Sequence, residues 1–373
     1  MKIILFVTLS FLISGCASTV ENYQSSCETG KAAACTDLGV LYLKGEKVKP
    51  DYFKAVDLLR TGCDTGIAKG CFYLGVAYSS GLGIRQDSFK AAELYQKSCE
   101  SGEVDACLNL GVSYMRGRGV AKDQDRAKNL LKKVCDSGVV KGCYNLGWMY
   151  EVGAGVERDI ANAVTMYKMA CDGGAAKGCF NLGELYRTGQ WVQLDLIKAA
   201  ELLKKACDGG DLGGCNNLGW MYDRGEGLKQ NFVEAVKLYR RVCAVNAAHG
   251  EGCDNLADKY RNGEGVKQDM AVAADLYQKG CAAGSSNACS GLADGYYKGE
   301  GVAQDFSRAV QNYQNACNGG HNKGCYNLAM MYYKGEGVAR SQEMAIKYTR
   351  MACDMKYQAA CDVLDKVMAG TLE

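Results

Sequence analysis

The chain has one proline, Pro50, and two histidines, His249 and His321, in 373 residues. So few imidazoles exclude a mechanism that needs several of them, and exclude a Cys/His zinc array repeated along the molecule. Charge of one sign is missing too. The 44 Lys plus Arg are balanced by 42 Asp plus Glu, so no strong field draws the chain to nucleic acid or to an anionic surface. Beyond the first residues, no apolar stretch approaches the roughly 20 residues that a spanning helix needs. Abundance lies elsewhere, in 47 glycines and 21 cysteines. That many thiols do not suit a reduced cytosolic protein without metal clusters.

Met1-Lys2 is followed by a mostly apolar run, Ile3 to Ile13, too short for a permanent membrane helix but suited to the apolar core of a secretory leader. The run ends in Ile13-Ser14-Gly15-Cys16, which resembles the bacterial lipobox. On that resemblance residues 1–15 are a lipoprotein signal peptide and Cys16 becomes the lipid-bearing N-terminus. Ala17 in the second mature position favours the outer membrane, facing the periplasm. An ordinary signal peptide cut nearby would still export the chain.

Setting Cys16 aside, the cysteines fall into ten pairs: Cys27/Cys35, Cys63/Cys71, Cys99/Cys107, Cys135/Cys143, Cys171/Cys179, Cys207/Cys215, Cys243/Cys253, Cys281/Cys289, Cys317/Cys325 and Cys353/Cys361. Successive pairs start 36 residues apart, except for one step of 38 that places two extra residues around Val245 to His249. A fixed period of this length marks a solenoid, a continuous stack without domain boundaries.

Each period opens with Cys-x-Asn-Leu-Gly-x-x-Tyr, as in Cys143 to Tyr150, whose apolar residues recur at helical intervals. A glycine pair such as Gly117/Gly119 or Gly153/Gly155 then ends the helix. Next comes Asp51, Asp87, Asp123, Asp159, Asp195, Asn231, Asp269, Asp305 or Ser341, the N-cap of a second helix. An alanine four residues later, from Ala55 to Ala345, lets two helices cross closely. Tyr95, Tyr167, Tyr239, Tyr277 and Tyr313 supply core bulk further along. Nine helix-turn-helix units are expected over residues 31–356. A lipidated N-terminus with a short helix (16–30) precedes them, and a capping helix and tail (357–373) follow.

The Leu-Gly-x-x-Tyr, Gly-x-Gly-Val and Asp-x-x-x-Ala elements resemble the Sel-like repeat (SLR), a relative of the tetratricopeptide repeat. Cys-x7-Cys in nearly every unit is similar to the cysteine-rich Hcp subfamily. The resemblance covers about nine tenths of the chain. It implies an adaptor scaffold, and it also carries an alternative, because some cysteine-rich members are penicillin-binding proteins or weak β-lactamases.

Each cysteine pair joins the end of one unit's second helix to the start of the next unit's first. These segments run antiparallel and adjacent, so the thiols are placed to bond. Metal ligation, the rival reading, wants Cys-x2-Cys spacing and further ligands nearby. The expected fold is all-α: a right-handed α/α solenoid of nine disulfide-linked helix-turn-helix repeats with a C-terminal capping helix. No cofactor and no metal are expected.

In related arrays the first helices line a concave face. Two residues after the second cysteine stand Asn109, Asn145, Asn181, Asn217, Asn255 and Asn327. By resemblance to tetratricopeptide helices such amides hold the backbone or carboxylate of an extended peptide. Equally, they can tie one hairpin to the next. Lys141, Lys177 and Lys323 lie four residues before three of them, on the same helical face, and Arg187 lies loosely near it. Trp148 and Trp220 occupy matching places in repeats 4 and 6. The functional reading is a groove in repeats 4 to 6 for a protein, a peptide or a cell-wall fragment, carried by a monomer with its membrane contact through Cys16 and with no nucleic acid. The bland reading is solvated lysines and packing tryptophans.

For the β-lactamase alternative the required Ser-x-x-Lys is absent. Thr165-Met166-Tyr167-Lys168 is its nearest match, and Ser285-Ser286-Asn287 and Arg187-Thr188-Gly189 only faintly echo the other two elements.

Overall fold

A computed structural model describes residues 19–245 and 250–368, and all regular structure among them is helical. The leader over 1–15, Cys16, His249 and the tail from residue 369 lie outside the described residues. No described helix is long and apolar enough to cross a membrane.

The chain divides into two compact units, Met1–Gly178 and Cys179–Glu373. In the first, α1 (19–28) precedes four pairs: α2 (Ala32–Lys44) with α3 (Tyr52–Asp64), α4 (Ala68–Ser80) with α5 (Ser88–Glu100), α6 (Val104–Arg116) with α7 (Gln124–Asp136), and α8 (Val140–Val152) with α9 (Ile160–Asp172). Helix α10 (Ala176–Thr188) includes the division point. The second unit goes on with α11 (Leu196–Asp208), then α12 (Leu212–Arg224) with α13 (Phe232–Val245), and α14 (Gly250–Asn262) with α15 (Met270–Ala282). It ends with α16 (Ser286–Lys298) and α17 (Phe306–Asn318), α18 (Asn322–Lys334) and α19 (Gln342–Asp354), and α20 (Gln358–Met368).

The second helix of each pair begins where its cap was expected. All nine cap side chains, from Asp51 to Ser341, accept a backbone N–H of the first turn, satisfying donors that a helix start leaves open. First helices end on left-handed glycine, as at Gly117, φ 68°. The second glycine of that loop answers to a different constraint. A Cβ at Gly119 would stand 1.8 Å from the Ser88 carbonyl oxygen, so the loop lies hard against the preceding repeat's second helix. Lys47 and Trp191 take this left-handed place in repeats 1 and 5, with φ 64° and 76°.

Helices within a pair close up on small residues. A Cβ at Gly147 would meet the Tyr167 ring at 2.8 Å, and Ala163 is fully buried. The expected cysteine pairs are bonded. Cys27–Cys35, Cys63–Cys71, Cys99–Cys107, Cys135–Cys143, Cys207–Cys215, Cys243–Cys253, Cys281–Cys289, Cys317–Cys325 and Cys353–Cys361 have Cα atoms 4.4 to 4.7 Å apart, and Cys171 and Cys179 are disulfide-bonded as well. The bonds between repeats join the last turn of one helix to the first turn of the next, while Cys27–Cys35 ties α1 to α2 and Cys353–Cys361 ties α19 to α20. The second cysteine of each pair is the fourth residue of its helix. Cys35, Cys71, Cys215, Cys253, Cys289 and Cys325 are at most 4% exposed there, and Cys361 on the capping helix is half-buried. The six buried sulfurs therefore pack the junctions. The short connection between the bonded turns bends on a further left-handed glycine, such as Gly66 or Gly102, which the expected glycine pattern had not included.

Candidate ligand-binding groove

Because every repeat starts its first helix from a disulfide-fixed point, residues at one offset from the second cysteine fall in register. Asn109 hydrogen-bonds the Tyr95 hydroxyl, and the Asn145 amide donates to Lys141 O of its own helix at 2.8 Å. In the second unit three of the amides bridge first helices of neighbouring repeats. Asn217 donates to Glu184 at 2.8 Å, Asn255 to Asn216 at 3.0 Å and Asn327 to Asp294 at 3.4 Å. Asn181 is half-buried on α10.

Arg187, expected only loosely near this face, is part of its centre in the second unit. Its guanidinium grips Glu184 through two bonds of 2.8 and 2.7 Å and lies over the Trp220 ring, 5.4 Å from the centroid. Arg224 covers the same ring at 4.5 Å, so the indole sits among cations that it attracts through its π face. Asn217, Arg187 and Trp220 therefore share one polar cluster through Glu184. In the first unit Trp148 and Lys141 are exposed, and Lys177 is exposed on α10.

Residues that the pattern did not single out shape the rest of this face. The position after the second cysteine holds Phe72, Leu108, Tyr144 or Phe180 in earlier repeats, but Asn216, Asp254 and Ser290 in repeats 6 to 8. Asp254 is only 6% exposed. Burial and the neighbouring Asp258 push its carboxyl up to about 7, while Asn287 hydrogen-bonds it. Lys259 replaces the Met149 or Met221 of other repeats in the core. Burial opposes its charge, but bonds to Asp223 and to Glu264 (2.6 Å) outweigh that, so its pKa is raised. With Asp223 so occupied, the buried Tyr239 hydroxyl has no hydrogen-bond partner among the described residues.

Two adjoining cavities of about 250 and 260 Å³ open here, sharing Arg261, Tyr277, Gly291, Asp294 and Lys323. A third, about 320 Å³, continues along α18 past Asn327. His321 caps α18, its Nδ1 accepting Gly324 N–H at 2.9 Å. Burial and then Lys323 lower its pKa, and while Nδ1 accepts that bond the ring's proton is on Nε2. Among the described residues no three His, Cys, Asp or Glu side chains are placed to hold a metal ion.

The faint penicillin-enzyme echoes have local roles. Thr165 Oγ1 donates to Ala161 O within α9 at 2.9 Å, and Ser285 caps α16.

A single family model describes these repeats. The Sel1 repeat matches nine times, at residues 32–66, 68–103, 104–139, 140–174, 176–211, 213–244, 250–285, 286–321 and 322–357. The chain belongs to the Sel1 repeat family. Its junction disulfides fit the cysteine-rich branch of that family. A Sel1 repeat protein from Oxalobacter formigenes is 25% identical, with 83% of this chain and 90% of that one covered and a TM-score of 0.65. An SLR-fold protective antigen of uropathogenic Escherichia coli shares the fold at 23% identity, 95% and 91% coverage and a TM-score of 0.56. Cysteine-rich protein B of Helicobacter pylori is 33% identical over 31% of this chain and 88% of its own, with a TM-score of 0.26. No curated protein matches. The chain is thus a Sel1 repeat scaffold of the kind that serves protein interaction, and its ten disulfides suit an oxidising, exported setting.

Proposed function

We propose that this Sel1 repeat protein is a periplasmic, lipid-anchored scaffold that captures a protein or peptide along its first helices, without catalysis. The observation that carries this is the polar face of the second unit, where the Trp220 cluster and the adjoining cavities lie among the first helices. A frame of identical hairpins with a few exchanged side chains is how repeat proteins set specificity. Cys16 would supply the lipid, and anchoring of that kind leaves the repeats in water.

A photoreactive phenylalanine in place of Trp148 or Trp220, in intact cells, is expected to give one discrete adduct. The same residue at exposed Lys237 on α13 is expected to give none. Trp148→Ala should weaken capture with little change in melting temperature. Equal labelling at all three places would refute the groove. Purified protein is expected to leave a chromogenic cephalosporin intact, and saturable hydrolysis would replace the scaffold by an enzyme.

A further inference from the structure

Resting on the peptide-scaffold reading, we infer that the cleft of repeats 7 and 8, between α14, α16 and the start of α18, is a subsite for a primary ammonium group, a lysine side chain or amino terminus of the bound peptide.

The cleft lies beside two glycines. Gly291 stands where six other repeats carry asparagine, and Gly295 where Met149, Met221 and Met331 fill the core. A Cβ on Gly291 would stand 2.6 Å from the Tyr277 ring, and one on Gly295 3.2 Å from the Glu300 carbonyl oxygen. Two carboxylates line the adjoining cavities at the same offset of α14 and α16, Asp258 in one of them and Asp294 in both, where repeats 1 to 3 have Val40, Val76 and Val112. Both are held from one side only. Asp258 Oδ1 accepts the Tyr277 hydroxyl and forms an ion pair with Arg261 at 2.7 Å. Asp294 Oδ1 accepts the Tyr313 hydroxyl and Asn327. The Oδ2 of each has no bond to any described residue, and Asp294 has no ion pair there at all. An ammonium group carries three donors and no acceptor, which suits two such oxygens. A metal ion suits them less, because among the described residues no three His, Cys, Asp or Glu side chains are placed to hold one.

Charge bookkeeping points the same way. The lining counts Asp254, Asp258 and Asp294 against Arg261 and Lys323, with His321 neutral and Tyr277 protonated. Lys298 and Glu300 face each other at the mouth, 4.0 Å apart, and Glu251 adds negative charge behind Asp254. When Asp254 ionises, the cleft is short of one cation. When it is protonated, the lining itself balances and only Glu251 behind it remains unmatched. An ammonium ligand therefore binds more tightly as pH rises through the titration of Asp254, while a neutral ligand does not respond.

The test titrates full-length protein with acetyl-Ala-Ala-Lys-Ala-Ala-amide, with its norleucine twin, with that twin bearing a free amino terminus, and with 1,5-diaminopentane. The lysine peptide is expected to bind at least about tenfold tighter than its acetylated norleucine twin, and several-fold tighter at about pH 8 than at about pH 5.5. Asp258→Asn with Asp294→Asn should abolish that preference. So should Gly295→Met, which fills the cleft with the residue of other repeats and keeps every carboxylate. The free-terminus peptide separates an α-amino source from a side-chain one, and the diamine reads the subsite without any peptide. Equal affinity for the lysine and norleucine peptides, absence of binding by all four probes, or a preference that survives Gly295→Met would overturn the subsite. Should crosslinking at Trp220 still capture a partner, the scaffold stands without the ammonium subsite. Diamine binding without any crosslinked partner would mean the reverse.

Discussion

Reduction will unfold this protein at a temperature where the oxidised form keeps its full helical signal. Each described disulfide but one closes a loop between residues 8 apart in sequence, and the exception spans 10. On the chain-entropy account such a loop is worth about 2.5 kcal/mol. Ten contributions of that size do not simply add, yet half of them, about 12 kcal/mol, already match the roughly 5–15 kcal/mol by which domains are usually stable. The location of the bonds sharpens the effect. In a repeat array stability is a sum of unit terms and nearest-neighbour terms, and every bond but the two that hold the terminal helices sits at a junction between neighbouring repeats. Cutting them weakens the coupling along the whole row. Circular dichroism melts with and without a thiol reductant should separate by tens of degrees. Denatured, unreduced protein should offer almost no thiol to a chromogenic reagent, whereas reduction should release about twenty. Superimposable melts, or abundant thiol before reduction, would show that the sulfurs do not clamp the fold.

The sequence makes these clamps legible because their causes are local. A cap such as Asp123 serves a donor three residues away, Gly117 needs only its own backbone angle, and Cys99 reaches Cys107 across one turn. All recur with the period, so nine copies reinforce one another. Contacts made between repeats are harder to see. Asn217 meets Glu184 from 33 residues away, and counting along one helix left Arg187 as a loose neighbour when its partners, Trp220 among them, come from two repeats. The asparagines stayed open between bridging and ligand-holding because the same amide does both. Bridging is what Asn217, Asn255 and Asn327 do here.

Hardest of all was the cleft of repeats 7 and 8. Gly291 stands out as a departure from the asparagine column, but Gly295 and Asp254 fall in columns that the repeat pattern does not follow. Comparing repeats column by column for what is missing would have exposed it. Lys259 in a methionine column is the same kind of signal. A buried lysine held by Asp223 and Glu264 makes the core beside the cleft depend on charge pairing rather than on apolar fit.

Asp254→Asn should make the protein more stable at about pH 8 and leave it unchanged near pH 4. The carboxyl is buried beside Asp258 and pushed up to about 7 from the ordinary 3.8, so near pH 5.5 the folded chain holds a proton that the unfolded chain has lost. Where the folded state binds more protons, stability falls as pH rises. The loss therefore begins near pH 4, deepens through pH 7 and then levels off. At about 1.4 kcal/mol per pH unit, a gap of about three pH units sets a ceiling of about 4 kcal/mol, and relaxation around the ionised group brings the expected gain to about 2 kcal/mol. Asparagine keeps the shape and still accepts from Asn287, but has nothing to ionise. Urea titrations at about pH 4.5, 6 and 8 read the difference directly. A gain that is the same at every pH, or none at pH 8, would show that Asp254 does not carry its charge at a cost to the fold. The same substitution removes the titration that tunes the ammonium subsite, so a more stable variant that has lost its pH-dependent preference for the lysine peptide would tie the instability of this carboxyl to its use.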